Sequence, residues 1–458
     1  MRLEVERSTA APLEPRATLA RWDPIRRHLH LISSCQAPHG VAAAVAAFLD
    51  LPRDAVTCTV PDVGGAFGGK LVHPWPEEVL TAWAAHHLDH PVAWTEDRTE
   101  NLTATSQERG QRHEVEVGFD NEGQILALDL RFLHDTGAYT PYGIIVPHVT
   151  ATQLLGPYQG HETVLAQVVA AELGCDISQV TADTGRTDLV PFGAGTYASR
   201  TAAVTASAAA EAARQVRARA LQVAAEHLGR QPEALVLRDG IVAGHDPTEE
   251  LTLAQIAVLA NPLRYSFDTV SLVATQFARP RQRPALAPGE QPGLDSTAYF
   301  APRRATCSYG VHVAVVETDP ETCRTTVLRY VVVHDCGNPL NPMLVEGQIR
   351  GGVAQGLAGA LFERIVHTPE GNQLTTTYAD LLTPGAADVP DIEIDHLRHP
   401  TSLNPLGAKG VGEAGVIPVA AVIASAVEDA LGTVIDRAPM LPDTLHHLQA
   451  TVERSGRS

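Results

Sequence analysis

Glu413 stands in the run Gly410-Val411-Gly412-Glu413-Ala414-Gly415, a carboxylate with glycines on both sides. Such a group can take or give a proton if it is buried, because desolvation lifts its pKa toward neutrality. Left on the surface at a helix start, it would be an ordinary N-terminal acid held by the helix dipole. The run fits GxGxxG and is expected to open a helix. No strand leads into it, however: Pro400 and Pro405 separate it from the last predicted strand, and no acidic residue ends a strand beyond it. A dinucleotide fingerprint needs both features. Lysine gives the second clue. It occurs only at Lys70 and Lys409, and every other basic residue is arginine. Each lysine sits in a glycine-rich loop, where a compact ammonium serves differently from a planar guanidinium.

Three further stretches have the composition of binding loops. Gly64-Gly65-Ala66-Phe67-Gly68-Gly69-Lys70 nearly completes a nucleotide-binding P-loop and follows a predicted strand. Leu71 supplies no hydroxyl for magnesium, and Pro74 and Pro76 block a helix at Lys70, so a P-loop nucleotide hydrolase is the weaker alternative. Consecutive glycines there still make a backbone nest for an anion. Pro191-Phe192-Gly193-Ala194-Gly195-Thr196-Tyr197-Ala198-Ser199-Arg200 runs into a long helix, which Thr196 or Ser199 is placed to cap. Gly347, Gly351, Gly352, Gly356 and Gly359 form a small-residue stripe on another helix, as close packing or a ligand against the backbone requires. His86, His87 and His90 are spaced like metal ligands but have no partner motif, and they read as a polar helix face.

Composition narrows the class. The 458 residues are 44% hydrophobic and 19% charged, ample for packed cores and unlike a disordered chain. A net charge of −19 argues against a nucleic-acid partner. No apolar stretch is long enough for a membrane span, and with no basic-then-apolar leader at Met1 a cytoplasmic location is expected. The six cysteines are scattered without a CxxC pair, so neither a disulfide framework nor an iron–sulfur site is expected in this chain.

The positioning elements follow from pattern. Val41–Leu49, Pro76–His87, Thr201–Leu228, Glu346–Phe362 and Ile417–Leu431 are predicted helices, with Gly229 closing the third. Alanine fills the first half of that long helix, which implies close packing against a neighbour. Ala55–Val60, Val311–Glu317, Thr326–His334 and Ile392–His396 are predicted strands, and hairpins form around Asp120–Gly123 and Asp239-Gly240. Without a steady βαβ rhythm the class is α+β, with small mixed sheets packed against helices. Four regions are expected: 1–157, 158–278 with the long helix, a linker over 279–296 carrying Pro280, Pro284, Pro288 and Pro292, and 297–458.

Taken together, Ser34–His39, Asp62–Lys70, Gln159–Thr163, Pro191–Arg200, Asp335–Gly337, Val345–Gly352 and Gly407–Gly415 resemble, in family order, the large subunit of the molybdenum hydroxylases. These are xanthine dehydrogenase, aldehyde oxidase and aerobic carbon monoxide dehydrogenase, and the last branch is most similar. The resemblance implies that regions 1–157 and 297–458 bind a molybdenum–molybdopterin cytosine dinucleotide, with no protein ligand on the metal. It implies cofactor contacts at Gln36, Gly65, Ala66, Phe67, Gly68, Gln159, Gly160, Thr196, Ser199, Arg200, Gln348, Lys409 and Gly412. Glu413 resembles the general base that makes water the oxygen source for a small substrate, an aldehyde, N-heterocycle or carbon monoxide. Electrons would then leave to partner subunits holding iron–sulfur clusters and FAD, in a dimer of heterotrimers.

Departures from the pattern are also specific. Ala66 replaces a usual glycine, and the family's N-terminal domain is expected to be missing. So is an internal block between Gly156-Pro157-Tyr158 and Gln159-Gly160-His161, which in the family carries the substrate loop. A shortened, non-catalytic relic that still holds the cofactor is the alternative reading, and apolar faces built to meet the missing block would be left uncovered.

Overall fold

The computed structural model describes residues 1–71, 74–137, 162–196, 198–244, 249–260 and 293–455. Most of the expected linker 279–296, together with Gln159 and Gly160, lies outside these residues. The first part of the chain forms β1 (Arg2–Thr9), β2 (Ala17–Asp23), β3 (His28–Ser33), α1 (Pro38–Phe48), β4 (Val56–Thr59), α2 (Pro76–Leu88), β5 (Val92–Thr95), α3 (Arg98–Ala104), β6 (Gln107–Phe119) and β7 (Ile125–His134). The middle holds α4 (Glu162–Leu173), α5 (Thr201–Leu228), β8 (Val236–Arg238), β9 (Ile241–Ala243), β10 (Glu250–Thr252) and α6 (Leu253–Ala260). The last part adds β11 (Tyr309–Thr318), β12 (Thr325–Asp335), α7 (Pro342–Leu361), β13 (Ile392–Leu397), α8 (Val419–Leu431), β14 (Arg437–Ala438) and α9 (Pro442–Ser455).

The described residues form four small sheets, in the orders β14-β1-β6-β7, β4-β3-β2-β5, β10-β9-β8 and β11-β12-β13. Parallel and antiparallel pairs are mixed within three of them, and helices pack on their faces, so the fold is α+β as expected. The first sheet joins the chain's two ends, because β1 lies parallel to β14 and antiparallel to β6.

Local chemistry sets the helix ends. Pro38, Pro76 and Pro342 occupy first turns, where a missing N–H is harmless. Asn341 accepts from the Leu344 amide at 3.1 Å to cap α7. α5 covers its expected bounds, ends at Gly229 with φ 67°, and sets Ala206 and Ala210 against Val164 and Val168 of α4. Alanine is what allows that close approach.

The largest core lies between β12, α7 and α8, where Tyr330, Val332, Ile349, Val353, Leu357, Val419 and Ile423 are almost wholly buried. Of the expected glycine stripe, Gly352, Gly356 and Gly359 are buried on a packed face, whereas Gly347 and Gly351 are exposed with open space around them. A Cβ at Gly352 would fall 2.9 Å from the Gly415 Cα, and one at Gly356 only 2.5 Å from the Val419 side chain. α7 therefore meets the segment leading into α8 backbone to backbone. Other apolar surface is uncovered: Leu126, Leu128 and Leu133 on β7, and Val311, Val313 and Val315 on β11, are about half exposed or more.

Two predictions follow from this packing. Gly415→Ala places a methyl 2.4 Å from the Ile349 carbonyl, and is expected to destabilise by about 3 kcal/mol in urea unfolding. His312 and His334 are held neutral by burial, each pushed down to about 4. The unfolded chain therefore takes up their protons first. Their contribution is present above pH 6.5 and is lost as pH falls toward 4, by at most about 3 kcal/mol for each histidine. Melting of His334→Gln across that range should show a visibly flatter acid limb than the parent.

Candidate functional site

Four loops are linked in series, and the last of them carries Glu413. Gln36, 7% exposed, links two of them: its amide donates to the Lys70 carbonyl at 2.9 Å, and its carbonyl accepts from the Thr196 amide at 2.9 Å. Its side-chain Nε2 donates to the Thr196 carbonyl at 3.0 Å. Gly195 allows this, since a Cβ there would lie 2.4 Å from the Gln36 carbonyl. Arg200 folds back on the same loop, donating from Nη2 to the Gly195 carbonyl at 3.1 Å.

Ser199 does not cap α5. Arg200 is the residue before that helix, and no side chain caps it. The Ser199 hydroxyl instead accepts from the Glu413 amide at 3.2 Å, tying the 191–200 loop to the 407–415 loop. Ala198 and Ser199 both take left-handed backbone, φ 57° and 46°. Left-handed backbone at two successive non-glycine residues is strained and is retained where function or packing demands it. Phe67 shares the trait at φ 47°, between Gly65 and Gly68, with its ring 40% exposed; Ala66 beside it is buried.

The two lysines are both buried in ion pairs. Lys70, 1% exposed, donates to Glu14 Oε2 at 2.8 Å, and the Gly64 amide donates to the same oxygen at 2.6 Å. The anion in that glycine nest is thus the chain's own Glu14. This removes the P-loop reading, because the ammonium that a P-loop would aim at a phosphate is spent on Glu14. Burial pulls the Lys70 pKa down, and Glu14 opposes that shift. Lys409 donates to Asp335 Oδ1 at 3.0 Å, and its amide donates to the Cys336 carbonyl at 2.7 Å. Burial alone would raise the Asp335 carboxyl, but the Gly337 amide, Lys409 and His399 bonded to it hold it far below the usual range. Lys409, Gln348, Asn338, Ala202 and Val411 line a cavity of about 100 Å³ between α7, the start of α5 and the 407–411 loop.

Glu413 is not at the helix start. The chain winds through turns over 411–418, with the Glu413 carbonyl accepting from the Val416 and Ile417 amides, and α8 begins only after Pro418. Proline fits the first turn of a helix, not the interior that an earlier start would require. The acid is therefore not the surface N-terminal carboxylate that its glycine setting allowed. Its Oε2 is buried and makes no hydrogen bond among the described residues. Burial first, and then the charge of Glu108, push its pKa up to about 8.

Of the expected contacts, Gln36, Thr196, Ser199, Arg200, Lys409, Gly412 and Glu413 belong to this joined set of loops, with Gly65–Gly68 beside Lys70 and Gln348 on the cavity wall. Three groups escaped the sequence reading: Glu14, Glu108 and Glu363, the last pushed up by burial to about 7. None of the three carries a sequence motif; the left-handed backbone of Arg109 beside Glu108 is visible only in the structure. Among the described residues no helix is long and apolar enough to cross a membrane.

Comparison with known proteins identifies the family. Molybdopterin cofactor-binding domain families match residues 1–172 and 150–390. The 6-hydroxypseudooxynicotine dehydrogenase complex subunit gamma of Paenarthrobacter nicotinovorans is 26% identical, over 96% of this chain and 72% of that protein. The carbon monoxide dehydrogenase large chain of Hydrogenophaga pseudoflava is 25% identical, over 92% and 70%. The crystal structure of quinoline 2-oxidoreductase from Pseudomonas putida 86 superposes with a TM-score of 0.83 at 26% identity, covering 98% of this chain and 76% of that one. The alignment to the first relative runs over 597 residues, against 458 in this chain. That relative therefore carries well over a hundred positions with no counterpart here. The chain belongs to the molybdopterin cofactor-binding family of molybdenum hydroxylase large subunits.

Proposed function

We propose that this chain is the catalytic large subunit of a molybdenum hydroxylase, with Glu413 as its general base. The observation that carries this is a buried carboxyl whose Oε2 has no partner, set on a loop joined to Gln36 and Thr196 through Ser199. A buried oxygen with no hydrogen bond is costly unless something it meets in function compensates. The residues fit the expected group: Gln348 and Lys409 line a cavity, and Gly65–Gly68 belong to the loop that Lys70 ties to Gln36. We assign Gln36, Gly65, Ala66, Phe67, Gly68, Thr196, Ser199, Arg200, Gln348, Lys409 and Gly412 to holding a molybdopterin cytosine dinucleotide, together with Gln159 and Gly160 outside the described residues. When bound, that group supplies the two-electron redox chemistry.

The chain's own part is proton handling. Glu413 Oε2 takes the proton whose removal makes water a nucleophile, and burial lifts its basicity into the range a base needs near neutral pH. Ser199 fixes the backbone from which it projects. The substrate is an electron-poor carbon of an aldehyde, an N-heterocycle or carbon monoxide. Relatives named for nicotine and quinoline put N-heterocycles first. Electrons pass to iron–sulfur and FAD subunits, as the naming of relatives as large or gamma subunits supports.

The test is metal and nucleotide analysis of protein from a molybdenum-replete host, followed by dye reduction with N-heterocycles, aldehydes and carbon monoxide. About one molybdenum per chain with released cytidine nucleotide is expected, and Glu413→Gln should keep the metal while losing roughly 10²- to 10⁴-fold in kcat. Molybdenum without turnover in the parent chain would leave the relic reading, and a folded chain without molybdenum would end both.

A further inference from the structure

Asp335 at the end of β12 stands between a buried lysine and a solvent-facing histidine. Its side chain is fully buried, whereas that of His399 is 63% exposed. Oδ1 accepts from the Gly337 amide at 2.8 Å and from Lys409 Nζ at 3.0 Å. Oδ2 is bonded to His399 Nδ1. Tyr309, at the start of β11, touches both ends: its ring centre lies 4.6 Å from the Lys409 ammonium, and its hydroxyl lies 2.9 Å from His399 Nδ1. Backbone contacts fix the inner half of this cluster. The Lys409 amide donates to the Cys336 carbonyl at 2.7 Å, Gly337 pairs with Ala408, and a Cβ at Gly337 would fall 2.1 Å from the Gly407 carbonyl. Cys336, Asn338, Ala408 and Lys409 line the cavity assigned above to the cofactor, so Asp335 stands directly behind its wall. One carboxylate thus serves a lysine in that wall and a histidine open to water.

We propose that Asp335 couples the two: a proton on His399 tightens the binding of an anionic diphosphate in the Lys409 cavity. The inference rests on the cofactor reading in one respect, that the diphosphate lies in this cavity. While His399 is neutral, ammonium and carboxylate cancel, and the wall offers an anion little net charge. Protonated, His399 leaves the three groups with one net positive charge and competes with Lys409 for the same carboxylate. The effect is reciprocal, so an anion in the cavity favours the proton on His399. Around His399 stand Tyr309 of β11, Asp335 of β12, Arg398 beside it in the chain and Lys409 across the carboxylate. Beyond them are Cys336, His334, Glu413 and His396, which lies 3.8 Å from Glu346. Burial pushes Cys336 up to about 11 and His334 down to about 4, so neither changes charge near neutral pH. Glu413, pushed up by burial to about 8, does, and its deprotonation also disfavours an anion. A variant at His399 keeps Glu413 and separates the two.

The experiment reads this without molybdenum. CDP-glycerol, a cytidine diphosphate diester whose phosphates keep their charge throughout, is titrated calorimetrically into the 458-residue chain made without the metal. Two conditions are compared, about pH 5.5 and about pH 8, which bracket the range in which histidine side chains change charge. The parent is expected to bind about five-fold more tightly, or better, at the lower pH. His399→Gln, which keeps a donor for Asp335, should match the parent at the higher pH and lose most of the gain at the lower. His399→Arg, charged at both, should bind tightly at both, and serves if the first variant does not fold. Lys409→Gln should weaken binding at either pH, which places the ligand in this cavity. A parent without pH dependence, or a His399→Gln variant that keeps all of it, overturns the coupling and leaves the cavity to the cofactor. Absence of binding at both pH values, or binding that Lys409→Gln leaves unchanged, overturns the cavity assignment and the coupling with it.

Discussion

Two backbones in contact fix where Glu413 can be. Gly352 of α7 and Gly415 approach so closely that neither accepts a side chain, and that contact carries the 411–418 turns into the protein and not over its surface. Everything about the carboxyl follows from that depth: its unpartnered oxygen, its raised pKa, and its exposure to the charge of Glu108. The same face of α7 meets Val419 and Arg109. A helix poor in bulk is here the most constraining surface in the molecule, because backbone contact leaves no rotamer to adjust.

Buried ion pairs hold the surrounding loops. Lys70 with Glu14 and Lys409 with Asp335 each join segments distant in sequence, and each is further satisfied by backbone amides or a second donor. Replacing such a pair with apolar residues of equal size often leaves stability unchanged, while removing one partner is costly. Their use here is geometric. A lysine whose charge is met by a distant segment fixes where its loop lies against that segment.

Elements set by local chemistry were legible. The long alanine-rich helix α5 runs from Thr201 to Leu228 as its pattern requires, with Gly229 ending it, and the seven motif blocks pointed to the family. What sequence missed was partnership across distance. Ser199 looked like a helix cap but bonds Glu413, more than two hundred residues away, since nothing local distinguishes one acceptor role from another. The Glu413 loop looked like a helix start because glycines preceded an apolar run, yet Pro418 decides where α8 begins. Glu14 and Glu108 carry no motif. They matter because β1 and its flanking loop bring them to the site, and strand pairing between the chain's ends is not written in any short window.

The treatment of lysine reaches beyond the loops. Both ammonium groups are nearly inaccessible, Lys70 at 1% and Lys409 at 8% exposure, and the remaining basic surface is arginine. The folded chain thus presents no side-chain amine to solvent. Chemistry that needs a free lysine, whether acylation, glycation, isopeptide tagging or amine-directed cross-linking, finds no foothold on the intact fold. Lysine reactivity in this protein would report opening of the glycine-rich loops themselves.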